Sequence, residues 1–168
     1  MRVRPARLED ARPIAEVHVE TWRATYPGVM PQELLDDLSV DEREALWREW
    51  IPNPRTAPFV AEDDEGRVVG FVSVGPCWSE EGIGELYAIY VVPGAQGHGV
   101  GRALMDTAVE TLGGKWQEAI LWVATENPRA RRFYERYGWV VDGERLDDSF
   151  PGVVLPETRY RLSGLGRR

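Results

Sequence analysis

A strand-like run that passes through a glycine-rich loop directly into a helix constrains this chain most: Glu85-Leu-Tyr-Ala-Ile-Tyr-Val-Val-Pro-Gly-Ala-Gln-Gly-His-Gly-Val-Gly-Arg-Ala-Leu104. Gly97, Gly99 and Gly101 let the backbone approach a ligand closely. The unpaired N–H groups of the helical turn after Gly99 then point at that ligand with the positive end of the helix dipole. A pyrophosphate suits such a cradle. The run G-x-x-x-x-G-K-[ST] of a nucleoside triphosphatase loop occurs nowhere in the chain. Nor does a dinucleotide fingerprint fit, because counting from Gly97 and Gly99 its third glycine would fall on Arg102. What remains is Gln96-x-x-Gly99-x-Gly101 behind a strand that ends in Tyr90-Val91-Val92-Pro93.

A second element follows one helix and one strand later. Asn127-Pro-Arg-Ala-Arg-Arg-Phe-Tyr-Glu-Arg-Tyr-Gly138-Trp139 reads as a short helix with an asparagine cap, Pro128 in its first turn and a glycine stop. The first run resembles the coenzyme A loop [RQ]-x-x-G-x-[GA] of the GCN5-related N-acetyltransferase (GNAT) family. The second is similar to that family's N-x-x-A-x-x-[FL]-Y-x-x-x-G-[FW], with every marked position matched. The order of elements outside the two motifs fits as well, so the resemblance covers nearly the whole chain.

The coarse reading along the chain agrees. Arg2 to Leu8 reads as an edge strand, and Glu9-Asp10 open an amphipathic helix through Ile14, Val17 and Trp22. Tyr26 to Pro31 break it, and helical pieces follow at Gln32 to Leu38 and Asp41 to Trp50. Phe59 to Glu62 and Val68 to Val74 flank the turn Asp63-Asp-Glu-Gly-Arg67, and Glu85 to Val92 is a third antiparallel strand. After the loop come a helix to Leu112, strand Ala119 to Ala124, the Asn127 helix, and strands Trp139 to Arg145 and Val154 to Leu162. Asp147, Asp148 and Phe150 fall in a loop on this reading, near the mouth of an acceptor site, and His18 falls on a helix surface in preference to the alternative of a pocket group. The result is an α+β fold in one domain over residues 1–168: a mostly antiparallel central sheet of six to seven strands with helices on both faces. The resemblance adds that the central strands splay apart.

Composition bounds the partners. A formal net charge of −8 speaks against a nucleic-acid surface, because phosphate binding relies on clustered lysine and arginine. No apolar run approaches the length needed to span a membrane, and no apolar segment follows the polar N-terminus, so a cytoplasmic protein, monomer or homodimer, is expected. Cys77 is the single cysteine, which rules out an internal disulfide. The two histidines carry no ligand spacing, so no metal is expected.

The resemblance implies acetyl-CoA as cofactor and transfer of its acetyl group to a primary amine by direct attack. By the same resemblance the backbones of Tyr90, Val91 and Val92 hold the pantetheine arm. Gln96, Gly97, His98, Gly99, Val100, Gly101 and Arg102 take the pyrophosphate, with Asn127, Ala130 and Tyr134 also at the cofactor. One or two of Arg129, Arg131, Arg132 and Arg136 could reach its 3′-phosphate. Tyr134 is the expected acid for the leaving thiolate. Many family members carry a glutamate in the strand before the asparagine helix; here Leu121, Trp122, Val123 and Ala124 stand there. Glu85 is the replacement base, directly or through water. Trp22 and Tyr26 resemble an aromatic acceptor wall suited to a cationic amine. Two rivals stay open: an acyl-CoA-binding sensor of the same fold, and an acetyltransferase acting on protein N-termini or lysines.

Overall fold

The computed structural model describes residues 1–150 and 152–167. Its seven strands form one sheet in the order β1-β2-β3-β4-β5-β7-β6. They are β1 (Arg2–Pro5), β2 (Ala57–Glu62), β3 (Val68–Pro76), β4 (Gly84–Val91), β5 (Glu118–Ala124), β6 (Val140–Phe150) and β7 (Val153–Ser163). Helices α1 (Ala11–Thr25), α2 (Gln32–Asp36) and α3 (Val40–Trp50) precede β2. Helix α4 (Val100–Gly113) joins β4 to β5, and α5 (Pro128–Arg136) joins β5 to β6.

Every pairing is antiparallel except β4 with β5, and that pairing decides the architecture. It spans only Gly84↔Ala119, Glu85↔Ile120 and Leu86↔Leu121. Beyond Leu86 the two strands part, although β5 runs on to Ala124. A bulge prepares the parting. β3 pairs Val74 with Leu86 but the adjacent Ser73 with Ala88, so Tyr87 is an extra residue on β4. Leu86 accordingly packs with α4 on one face, whereas Ala88 and Tyr90 pack on the α1 side.

Local chemistry places the helices. The apolar stripe of α1, with Ile14, Ala15, Val17 and Trp22 buried, lies on the sheet. Ser39 caps α3 by accepting the Glu42 N–H (3.2 Å). On the opposite face Leu104, Met105, Ala108 and Leu112 of α4 share a core with Tyr134 of α5 and Trp139.

Three expectations shift. The first strand stops at Pro5 rather than Leu8, because the Arg7 N–H donates to the Asp10 carboxylate (2.7 Å) and the chain turns into a 3₁₀ turn. Asp147, Asp148 and Phe150 lie in β6, not in a loop; the stretch lacks apolar alternation, and β7 supplies the partner that fixes it. His18 is buried, not on the surface, with Trp22, Tyr90, Phe71 and Trp47 around its ring.

Burial lowers the His18 pKa to about 3, with Arg43 adding to the effect. Between that value and the ordinary imidazole range, the unfolded chain binds a proton that the folded chain does not. Stability therefore falls as pH drops through this window. Lowering pH from 6.5 to 4 is expected to cost about 2–3 kcal/mol through this residue. Urea unfolding across that range should show the slope, and His18→Leu should flatten it.

Candidate functional site

The gap between β4 and β5 opens a cavity of about 920 Å³ that runs from the glycine loop to the α1 side of the sheet. Gly97 and Gly99 hold φ of +81° and +82°, a region costly for any residue with a Cβ. Gly101 is different. A Cβ there would meet Phe133 at an ordinary 3.5 Å, so alanine would fit and bulk would not. Gly99 precedes the first turn of α4 and accepts the Ala103 N–H (3.1 Å), leaving the N–H groups of Val100 to Arg102 without intrahelical partners. Val92 N–H donates to Val69 O across the β3 pairing (2.9 Å). Alternation along the strand turns the Tyr90 backbone to β3 as well, and the Val91 backbone into the gap. Gln96 Nε2 braces the loop by donating to the Val91 carbonyl (2.9 Å).

Helix α5 supplies the opposite wall. Asn127 Oδ1 accepts the Ala130 N–H (3.2 Å), which sets the helix direction and brings Asn127, Ala130, Phe133 and Tyr134 onto the cavity. The Tyr134 ring is buried, yet its hydroxyl hydrogen-bonds no described residue and is not among the buried unpartnered polar atoms. It therefore opens on the cavity. Burial and the neighbouring Tyr90 push its pKa up, so the phenol keeps its proton. Arg102, Arg129 and Arg136 line the loop-side mouth.

A sequence model described as the acetyltransferase (GNAT) family matches residues 16–139. The chain belongs to the GNAT family. Its GNAT relatives include the uncharacterized N-acetyltransferase YuaI of Bacillus subtilis, 42% identical over 92% of this chain and 88% of that one. Among solved structures, the PaiA N-acetyltransferase of Thermoplasma acidophilum in complex with coenzyme A aligns with TM-score 0.73 at 20% identity, covering 96% and 98% of the two chains. A chimera of the spermidine N-acetyltransferase SpeG from Vibrio cholerae and hSSAT aligns at 0.74 and 24% over 100% of both chains. This chain is accordingly a GNAT N-acetyltransferase. The family cofactor is acetyl-CoA, and the positive-φ glycines with an open helix N-terminus and the Val91 backbone in the gap fit it.

Most residues expected from sequence border this GNAT cavity: Trp22, Tyr26, Glu85, Tyr90, Val91, Gln96, Gly97, Gly99, Gly101, Arg102, Asn127, Ala130 and Tyr134. Val92, His98 and Val100 do not. The Val100 side chain, at the start of α4, turns into the core, and His98 is exposed. No described helix is long and apolar enough to cross a membrane, and no described cluster of histidine, cysteine or carboxylates suits a metal.

The end of the cavity away from the glycine loop faces α1. Trp22 and Tyr26 stack edge to face with ring centroids 5.1 Å apart, and the Tyr26 hydroxyl meets the Asn127 amide. Glu85 sits where β4 and β5 still pair. Burial raises its pKa, while the Cys77 thiol and the Trp78 N–H draw it back. Sequence reasoning missed Trp122, Arg145 and Glu157. Arg145 Nε donates to Glu157 Oε1 (2.7 Å), and its guanidinium lies over the Trp122 ring at 4.1 Å. The signal for the pair was a charge complement across a hairpin, readable only once the register Arg145↔Glu157 is known.

Proposed function

We propose that this protein transfers the acetyl group of acetyl-CoA to a small-molecule primary amine by direct attack, with no covalent enzyme intermediate. The observation that carries the reading is the splayed gap: a glycine cradle at one mouth, a protonated and unpartnered Tyr134 hydroxyl inside, and aromatic walls at the other mouth. Bound acetyl-CoA supplies a thioester carbonyl open to nucleophiles. The Val91 N–H lies free in the gap to donate to the arm, and the first turn of α4 offers N–H donors to the pyrophosphate. Tyr134 delivers its proton to the departing thiolate. An alkylammonium must lose a proton before it can attack. Glu157 is held in an ion pair by Arg145 and Asp147 accepts the Ser149 N–H (3.0 Å), whereas Glu85, on β4 itself, has no ion pair with any described residue and a pKa raised by burial, which suits it to accept the proton. Glu85 is level with Ile120 and the open end of the gap with Ala124, four residues or about 13 Å further along β5, so Glu85 takes the proton through water.

Two experiments test this. Thiol release from acetyl-CoA, followed colorimetrically over a panel of amines, polyamines, aminoglycosides and N-terminal peptides, is expected to depend on a small amine. Acetyl-CoA binding without release on any acceptor would favour the sensor reading, and release on peptides alone the protein-acetylating one. For the base, activity should fall as pH drops through the raised Glu85 pKa, because the carboxylate form accepts the proton. Glu85→Gln should lower kcat/KM about 100-fold on the alkaline side and remove the acid limb. A limb that survives in the variant would assign it to another group.

A further inference from the structure

The Arg145 guanidinium is fixed on two sides and open on a third. Arg145 and Glu157 are direct cross-strand partners on β6 and β7, and Glu157 in turn pairs with Ala124 of β5. The arginine side chain therefore reaches across β7 and comes to rest over the Trp122 ring, with Glu157 Oε1 taking its Nε proton. Both terminal nitrogens are left without a hydrogen bond to any described residue, and the side chain lines the cavity. A guanidinium fork fixed by stacking and by a carboxylate on Nε loses little freedom when a second carboxylate docks on its free edge. Among the described residues Arg145 is also the one cation lining this end of the cavity, whose other charged lining residues are Glu85, Asp147 and Glu157. Those carboxylates suit an ammonium, and the fork beside them suits an anion.

We infer that the acceptor is an amine bearing a carboxylate, an amino acid or a close relative, with the fork of Arg145 reading the carboxylate while the amine faces the acetyl group. This deepens the transferase reading above and rests on it. Arg145 acts here in recognition and takes no part in the proton transfers. Trp122 and Glu157 are its positioning residues.

Matched acceptors that differ only in the carboxylate make the test: phenylalanine against phenethylamine, leucine against isoamylamine and alanine against ethylamine. In the wild-type protein the carboxylated member of each pair should show kcat/KM about 10- to 100-fold higher, the usual worth of a charge-assisted hydrogen bond. Arg145→Gln should bring that ratio toward one by raising KM for the acids, with kcat changing little. Arg145→Lys keeps the charge and the partner for Glu157 but not the fork, and should fall between the two. It also serves if the glutamine variant folds poorly. Calorimetric titration of phenylalanine into the coenzyme A-bound protein gives a reading independent of turnover, and phenethylamine should bind more weakly. Decarboxylated amines that react as well as or better than the acids, or a preference untouched in both Arg145 variants, would overturn the inference and leave the transferase standing. No turnover with either member of any pair, and no binding of phenylalanine, would overturn it as well; if thiol is released on no other amine either, the transferase reading falls with it.

Discussion

Tyr134→Phe is expected to lower kcat about 100- to 1,000-fold, the range typical of losing a positioned general acid. Acetyl-CoA affinity should stay within about threefold, because the hydroxyl assists only as the thiolate forms. The ring should remain in place, since the core around it with Leu104, Trp139 and Tyr160 does not use the oxygen. The hydroxyl also hydrogen-bonds no described residue, so its removal costs no hydrogen bond among them and stability should hardly move. Steady-state thiol release, paired with calorimetric titration of acetyl-CoA, separates the two effects. Unchanged turnover would remove Tyr134 as the proton donor and leave solvent to protonate the thiolate.

The second large effect concerns stability. Arg4 on β1 donates to both oxygens of Asp10 (2.7 and 2.9 Å) and through Nε to Glu62 (2.7 Å). Arg4 is 11% exposed at its side chain and Asp10 6%. Burial pushes the Asp10 carboxyl up, but the Arg4 guanidinium and the Arg7 N–H outweigh it and hold the group below the ordinary carboxylate range. Arg4→Met would strand that carboxylate without its partner. The expected loss is about 3–5 kcal/mol, a large share of the 5–15 kcal/mol typical of a domain. Replacing Asp10 by leucine in the same chain should recover much of it, because the buried charge then disappears together with its counter-ion. Urea denaturation of the two variants would measure both numbers. A loss below about 1 kcal/mol for Arg4→Met would mean that water reaches Asp10 and the pair behaves as an exposed one.

Much of the scaffold was legible because its signals are local. The hairpin around Asp63 to Arg67, the Asn127 cap and the glycine loop are each contained within a few consecutive residues, and the structure realises all three. Antiparallel order followed from adjacency along the chain. What escaped was set by pairing between distant segments. His18 stands at helical spacing from the apolar Ile14 and Trp22, but its own polarity argued for the surface, and only the fold shows Phe71 and Tyr90 of the sheet closing over it. The stretch Leu146 to Phe150 shows no period, and only β7 extends the strand through it. Arg145 meets Trp122 across two strand pairings, a contact between residues 23 apart in sequence that no motif spans. The glycine-loop side of the cavity is written in contiguous motifs, and its far end, the proposed acceptor side, is assembled from β4, β5, β6, β7 and α1.

The short parallel pairing gives this sheet four edges instead of two. The outer pair, β1 and β6, borders the sheet as in any open sheet. The inner pair consists of β4 after Leu86 and β5 after Leu121, facing each other across a wedge closed at the Leu86↔Leu121 pair. An exposed strand edge ordinarily invites another strand, with the risk of aggregation. Here the two edges diverge from the paired Leu86 and Leu121, so a foreign strand cannot pair with both along their length. What the inner edges can accept is a slender chain that carries amide groups of its own, so the backbone itself screens candidates by cross-section before any side chain is consulted.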